Sequence, residues 1–374
     1  MKKFYVIAGE ASGDLHASNM MRALKERDST IDFRFWGGDH MAAVAGQPVK
    51  HIRDLAFMGF VEVLLNLKTI LSNIRFCKED IAAYQPDALI LIDYPGFNLR
   101  IAEWAKSQGI KVYYYISPQI WAWKQNRVHK IKKVVDKMFV ILPFEQAFYD
   151  KFDVEVTYVG HPLMDAVKNY QENADETTIR KRLNLSDKPV IAVLPGSRKQ
   201  EISSMLPIML KAINELDETY QVVIAGAPAQ DPVFYEPFMK GYQNVKVVHG
   251  VTYELLHIST AALVTSGTAT LETAIFNVPQ VVCYKGSFIS YHIAKRLIKV
   301  AYISLVNLIL DKEAVRELIQ DECNVKNALA ELKAVMPEGK KREAVLSNYS
   351  KLHQLLGKGG ASKLVAQHIL SLEN

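Results

Sequence analysis

The feature that most limits what this chain can fold into is an alternation that occurs twice. Short, almost wholly apolar runs rich in Val, Ile, Tyr and Phe alternate with segments of helical periodicity. Runs without a polar face are buried on both sides, as parallel strands between helical layers are. In the first series, strands are expected near Phe4–Ala8, Phe33–Trp36, Ala88–Ile92, Val112–Ile116, Met138–Leu142 and Val156–Val159. Helices are expected near Leu15–Arg27, Phe60–Tyr84, Leu99–Gln108, Lys124–Val135 and Phe144–Lys151. From Asp165 to Pro189 charge rises and apolar runs thin out, which reads as a linker with a short helix at Thr178–Leu183. The second series has strands near Val190–Leu194, Val222–Ala225, Val245–Val248, Ala262–Thr265 and Gln280–Cys283. Its helices fall near Gln200–Leu216, Tyr253–Ile258, Ala269–Phe276 and Ile289–Ile298, and amphipathic helices near Val315–Ile319, Val325–Leu332 and Ser362–Leu372 follow.

The fold class expected is α/β, with two doubly wound domains in tandem and a cleft between them. A length of 374 residues gives each domain a core of its own. The expected boundaries are 1–165 and 188–350, with 351–374 as a helical segment packing back on the first domain. Net charge is only +5, too mild for a dedicated nucleic-acid binder. Cys77, Cys283 and Cys323 lack ligand spacing, which argues against a disulfide framework or zinc ribbon and fits a reducing compartment. The opening apolar run stops at Gly9-Glu10, too short for a signal peptide, and no stretch reaches the roughly 18 apolar residues of a spanning helix. A cytoplasmic protein, soluble or peripheral to the membrane, is expected.

In doubly wound sheets ligands bind at the carboxyl ends of strands, so motifs directly after strands carry the most weight. Ala8-Gly9-Glu10-Ala11-Ser12-Gly13-Asp14-Leu15-His16 is a small-residue turn opening a helix. It suits an anion or a sugar oxygen, or is a plain turn capped by Ser12 or Asp14. Glu10 and His16 are its unusual members. Leu91-Ile92-Asp93-Tyr94-Pro95-Gly96 ends an apolar strand in a carboxylate, either a general base facing the cleft or a turn cap. In Leu194-Pro195-Gly196-Ser197-Arg198, Gly196 and Ser197 offer donors and Arg198 a permanently charged fork suited to a diphosphate. In Thr265-Ser266-Gly267-Thr268-Ala269-Thr270-Leu271-Glu272, Ser266, Gly267 and Thr268 open a second anion-binding helix start. Glu272, a turn further on, would repel phosphate and so is a candidate acceptor for ribose hydroxyls. Together these two turns place a nucleoside diphosphate in the second domain.

Phe57–Ile74 is apolar over most of a helical surface, so it is either a core helix or a contact with something oily. Phe288–Leu310 mixes apolar residues with Lys295, Arg296 and Lys299, a combination suited to an anionic membrane surface. Trp121-Ala122-Trp123-Lys124-Gln125-Asn126-Arg127 runs into further lysines. Its Val128, Ile131, Val134 and Val135 form an inward face, so a solvated basic face is favoured over nucleic-acid binding, with a phosphate or lipid headgroup contact as the intermediate option. Gly357–Gly360 reads as an inter-helix turn rather than a phosphate loop. Histidine pairs at ligand spacing and an Asp-x-Asp element are missing from the sequence, so metal-assisted chemistry is disfavoured and no cofactor is expected.

Taken in order, Gly9–Asp14, Met58-Gly59-Phe60-Val61-Glu62-Val63, Ser117-Pro118-Gln119-Ile120-Trp121-Ala122-Trp123, Leu142-Pro143-Phe144-Glu145, Gly160-His161-Pro162, Leu194–Arg198 and Ser266–Glu272 resemble the lipid-A-disaccharide synthase family along nearly the whole chain. The resemblance implies a GT-B glycosyltransferase, inverting and metal-independent, at the inner membrane surface. It implies UDP-2,3-diacylglucosamine as donor, 2,3-diacylglucosamine 1-phosphate as acceptor, and a β-1,6-linked lipid A disaccharide 1-phosphate plus UDP as products. By position, Asp93 matches the family's candidate base, Arg198 and Glu272 its UDP contacts, and Asn307 another functionally important position. Gly96 stands where some relatives carry a second acid.

The mechanism this implies is an in-line displacement. Asp93 takes the proton of the acceptor 6-hydroxyl, with Glu10 as the rival base. Arg198 and the helix starts stabilise departing UDP. Two other readings stand beside it: a UDP-sugar 2-epimerase of the same fold, and a non-catalytic nucleotide-binding module on the membrane surface. A homodimer is left open.

Overall fold

The computed structural model describes residues 1–55, 67–216, 218–242, 244–286 and 300–373. The chain divides into two compact units, Met1–Pro162 with Gly359–Asn374, and Leu163–Lys358. In the first, β1 (Lys3–Ala8), β2 (Asp32–Gly37), β3 (Lys50–His51), β4 (Ala88–Ile92), β5 (Lys111–Tyr115), β6 (Lys137–Val140) and β7 (Val156–Tyr158) form one sheet in the order β3-β2-β1-β4-β5-β6-β7. In the second, β8 (Val190–Leu194), β9 (Gln221–Gly226), β10 (Val245–His249), β11 (Ser259–Thr265), β12 (Gln280–Tyr284) and β13 (Arg316–Ile319) take the order β10-β9-β8-β11-β12-β13. Every pairing in both sheets is parallel. The α/β class and the doubly wound architecture are as the sequence pattern indicates.

The reason is visible strand by strand. All five residues of β4 are fully buried, as are Phe4 to Ala8 of β1. Helices cover both faces. On one face of the first sheet, Ala17, Met20, Met21 and Leu24 of the helix Ala11–Arg27 share a core with Ala361, Val365, Ala366 and Ile369 of the last helix, Ala361–Leu372. On the other, the helix Leu67–Tyr84 is pinned by a polar knot. Tyr5 Oη donates to Asp80 Oδ2 at 2.6 Å, Arg34 Nε donates to the same oxygen at 2.7 Å, and Trp36 Nε1 donates to Tyr5 Oη at 2.8 Å.

Several expectations change. Val315–Ile319, read as a helix, contains strand β13, which adds to β12 with Leu318 buried and Arg316 partly exposed. With Glu317 and Leu318 buried between partly exposed Arg316 and Ile319, its four residues show no period of two that would have marked a strand. The stretch read as a linker holds the helices Pro162–Gln171 and Glu176–Arg182 within the second unit. The helix Arg342–Leu356 also belongs there, so the chain passes to the first unit at the glycine-rich turn 357–360.

Of the apolar segment Phe57–Ile74, residues 57–66 lie outside the described residues, as do 288–299 of Phe288–Leu310. On the helix Leu67–Tyr84, which holds the described end of that segment, Ile74, Cys77 and Ile81 are buried, whereas Leu71 is 56% and Phe76 44% exposed. Among the described residues, no helix is long and apolar enough to cross a membrane.

Because Ile369 is fully buried in the first unit's core, Ile369→Ala should cost that unit about 2–5 kcal/mol. Urea unfolding followed by circular dichroism would measure the loss, with Leu372→Ala, at an exposed position, as the control.

Candidate active site

Each sheet reverses its direction of growth once. After β3 the chain returns to place β4 on the other side of β1, and after β10 it returns to place β11 beside β8. Connections on either side of a reversal leave in opposite directions and open a crevice at the carboxyl ends. Four of the motifs singled out above follow β1, β4, β8 and β11, the strands that flank the two reversals.

In the first unit, the turns after β1 and β4 touch. A methyl group on Gly9 would sit 2.3–2.7 Å from ring carbons of Tyr94, so the residue there must be glycine. Asp93 and Tyr94 both have left-handed backbones, at φ +41° and +48°. Such non-glycine geometry costs about 1–3 kcal/mol per residue and persists where surroundings fix it. Here the fully buried Asn98 donates through Nδ2 to the carbonyls of Ile92 (3.2 Å) and Asp93 (2.7 Å). Tyr114 Oη donates to the same Asp93 carbonyl. The following helix opens with Pro95 in its first turn.

Asp93 is thereby held with its carboxyl pushed up to about 6, first by burial and then by the negative charge of Glu10. Glu10 is exposed, at the start of the helix Ala11–Arg27, where its side chain makes no capping bond. Asp14, by contrast, is scaffolding. Its buried carboxylate accepts from the amides of Gly38 (2.7 Å), His40 (3.0 Å) and Met41 (3.1 Å), capping the next helix. His16 is also buried, and burial lowers its pKa to about 4, so it is a neutral imidazole.

A cavity of about 180 Å³ opens beside Asp93, lined also by Pro118, Gln119, Trp123, Lys124 and Arg127. Underneath it, Glu145 anchors the loop: its buried carboxylate accepts from the amides of Ile141 (3.2 Å) and Leu142 (2.9 Å). Burial raises its pKa to about 7. The sequence marked Trp121–Arg127 as a solvated basic face and gave no sign that the segment closes over Asp93.

In the second unit, Gly196 has φ +106°, and a methyl group there would lie 2.8 Å from Glu201 Oε2. Glu201 Oε2 accepts from the amides of Ser197 (3.1 Å) and Arg198 (3.3 Å). The Ser197 amide that the sequence offered to a phosphate is therefore already taken, and so is the amide of Arg198. What stays open is the exposed Ser197 and the Arg198 guanidinium, 69% exposed and only 3.5 Å from Glu201 Oε1. Glu201, three residues past Arg198, is a capping acid that sequence reasoning passed over.

Beside this turn, Gly267 and Thr268 are exposed at the start of the helix Thr268–Ile275. Ser266 is not free, since its hydroxyl donates to the Ile303 carbonyl at 2.9 Å. Burial raises the pKa of Glu272, and Tyr253 Oη donates to it at 3.4 Å.

Asn307 is placed differently from the expectation of a ligand contact. It is fully buried, donates through Nδ2 to the Val315 carbonyl and to Glu317 Oε1, each at 2.8 Å, and accepts through Oδ1 from the amides of Ala314 (2.8 Å) and Val315 (2.9 Å). Glu317 in turn accepts from the amides of Ile303 (3.0 Å) and Ser304 (2.9 Å). Asn307 therefore reaches the Ser266 turn through Glu317 and Ile303.

A family profile described as lipid-A-disaccharide synthetase matches residues 4–368. The chain belongs to the lipid-A-disaccharide synthase family. Lipid-A-disaccharide synthase of Syntrophus aciditrophicus is 39% identical over 99% of this chain and 98% of its own. That of Myxococcus xanthus is 38% identical over 99% and 97%. Among solved structures, the UDP-GlcNAc 2-epimerase of Neisseria meningitidis bound to UDP-GlcNAc superposes with a TM-score of 0.69 at 15% identity, covering 99% of this chain and all of that one. The calicheamicin glycosyltransferase CalG4 superposes at 0.62 and 16%, covering 99% and 98%. At such identities these two likenesses establish the fold alone, which is GT-B. The family is one of glycosyltransferases, as its sequence blocks indicated.

The environment of Asp93 gives a direct expectation. Its carboxyl should titrate near pH 6, and Glu10→Gln, by removing a negative neighbour, should move the midpoint down. Carbon-13 NMR of labelled aspartate would follow both.

Asn307→Ala should lower the melting temperature together with UDP affinity, because four buried hydrogen bonds are lost. Arg198→Ala should lower UDP affinity alone. Calorimetric melting and titration separate the two.

Proposed function

We propose that this chain condenses UDP-2,3-diacylglucosamine with 2,3-diacylglucosamine 1-phosphate, giving the β-1,6-linked disaccharide 1-phosphate and UDP. The observation that carries the residue assignment is Asp93, a carboxylate at the reversal of the first sheet whose surroundings raise its pKa to about 6. A base with its pKa just below neutrality is ionised in use yet still attracts a proton. The acceptor 6-hydroxyl attacks the donor anomeric carbon, its proton passes to Asp93, and the bond from that carbon to the diphosphate oxygen breaks. The electron pair leaves with UDP.

The second unit receives that charge. Exposed Arg198 and the start of the helix Thr268–Ile275 supply positive potential where the diphosphate develops it. Gly196, Ser197, Gly267 and Thr268 border the anion, and Glu272, held by Tyr253, accepts from the ribose hydroxyls. Ser266 and Asn307 hold the shape of this site from beneath. Glu10 contributes by raising the Asp93 pKa and is the second candidate for the base.

Both substrates carry acyl chains. Leu71 and Phe76, exposed on a helix that also carries Lys68 and Arg75, support a peripheral seat on an anionic membrane surface facing the cytoplasm.

Asp93→Asn should lower kcat by about 10²–10⁴-fold while leaving UDP affinity within about twofold. In the wild type, kcat/KM should fall as pH drops below about 6, because protonation removes the base. Mass spectrometry of products from the paired diacylglucosamine substrates tests the reaction itself. Near-normal turnover by the Asn variant would remove Asp93 from the mechanism.

A further inference from the structure

The basic run after Trp123 does not behave as one surface. Lys130 pairs with Glu103 at 2.7 Å, Lys132 lies 4.0 Å from Asp153, and Lys137 pairs with Glu155. Lys124 and Arg127 differ. Among the described residues neither forms an ion pair, and both line the cavity beside Asp93. They lie on one turn, with the Arg127 amide donating to the Lys124 carbonyl at 3.0 Å, and Lys124 Nζ sits 4.0 Å from the centre of the Trp123 ring. The two cations repel: burial and Arg127 together lower the pKa of Lys124. Asp93 does not neutralise them, because its carboxyl is pushed up by burial and Glu10 with no relief from either cation. Two half-buried cations facing one cavity without a counter-ion make a site for an anion from outside.

The cavity's size narrows the choice. At about 180 Å³ it falls below the roughly 300–1,000 Å³ of pockets that enclose whole drug-sized ligands. It suits a phosphate and part of a sugar ring rather than a nucleotide. In a hexose, C1 and C5 both flank the ring oxygen, so a phosphate on C1 and the hydroxymethyl group on C5 project from the same edge. A carboxylate and a pair of cations around one cavity match that edge.

We propose that Lys124 and Arg127 bind the anomeric phosphate of the acceptor sugar and thereby present its 6-hydroxyl to Asp93. This rests on the reaction proposed above and adds to it an acceptor phosphate subsite. The subsite favours the acceptor, because two cations beside Asp93 match a single phosphate on the sugar that carries the attacking hydroxyl.

The test compares kcat/KM for 2,3-diacylglucosamine 1-phosphate with that for the same sugar lacking phosphate. In Lys124→Ala and Arg127→Ala the preference for the phosphorylated acceptor should fall about 10-fold each, the usual effect of removing a charged hydrogen bond. Arg127→Lys should restore part of it. In the unaltered protein, glucosamine 1-phosphate should shift the Trp123 indole NMR signal, and glucosamine should not. Equal losses on both acceptors, a shift of UDP affinity in place of the preference, or equal response to the two small sugars would each overturn the subsite while leaving the reaction standing. If the wild type makes no disaccharide from either acceptor, the reaction falls and the subsite with it.

Discussion

Both sheets are parallel, and in a parallel sheet every connection must cross over a face. Growth proceeds from β1 to β3 on one side, β4 then joins on the other, and the loops on either side of that seam diverge. The motifs after β1, β4, β8 and β11 lie at the strands that flank these seams. The second unit repeats the arrangement between β8 and β11. The chemistry described above depends on these two seams. The strained turn at Asp93–Tyr94 is tolerable because it sits at such a seam, with Asn98 and Tyr114 holding its carbonyls from below and Gly9 making room for the Tyr94 ring.

The acids of this protein divide by what faces them. Asp14, Glu145, Glu201 and Glu317 each accept from two or three backbone amides and so fix the loops that carry the site. Asp93 instead has burial and a like charge acting against its ionisation. Burial raises Glu145 as well, but its carboxylate is engaged by two backbone amides, whereas Asp93 lines a cavity where a proton can reach it. Among the described residues, Lys130, Lys132 and Lys137 meet carboxylates, whereas Lys124, Arg127 and Lys133 form no ion pair, and of these three only Lys124 and Arg127 line the cavity beside Asp93.

Fold and family carry different information here. An epimerase and the calicheamicin glycosyltransferase share the architecture at 15–16% identity, so the architecture is compatible with more than one reaction. The family is established by sequence over residues 4–368, and the blocks that carry it include the loops at the seams and the Trp-Ala-Trp segment over Asp93.

Much of this was legible in the sequence because it is local. Apolar runs without a polar face announce buried parallel strands, and a Gly-Ser or Ser-Gly pair directly after such a run announces a turn at a strand's carboxyl end. Strand β13 was misread because four residues are too few to separate period two from period 3.6. What only the tertiary structure decided is which partner each polar atom finds. Glu201 occupies the amides at Ser197 and Arg198, Asn307 turns inward to Glu317, and Lys124 and Arg127 line one cavity with Asp93 while Lys130, Lys132 and Lys137 meet carboxylates. Hydrogen bonds and ion pairs act over a few ångströms between residues far apart in the chain, so their pairing is fixed only when packing brings those residues together.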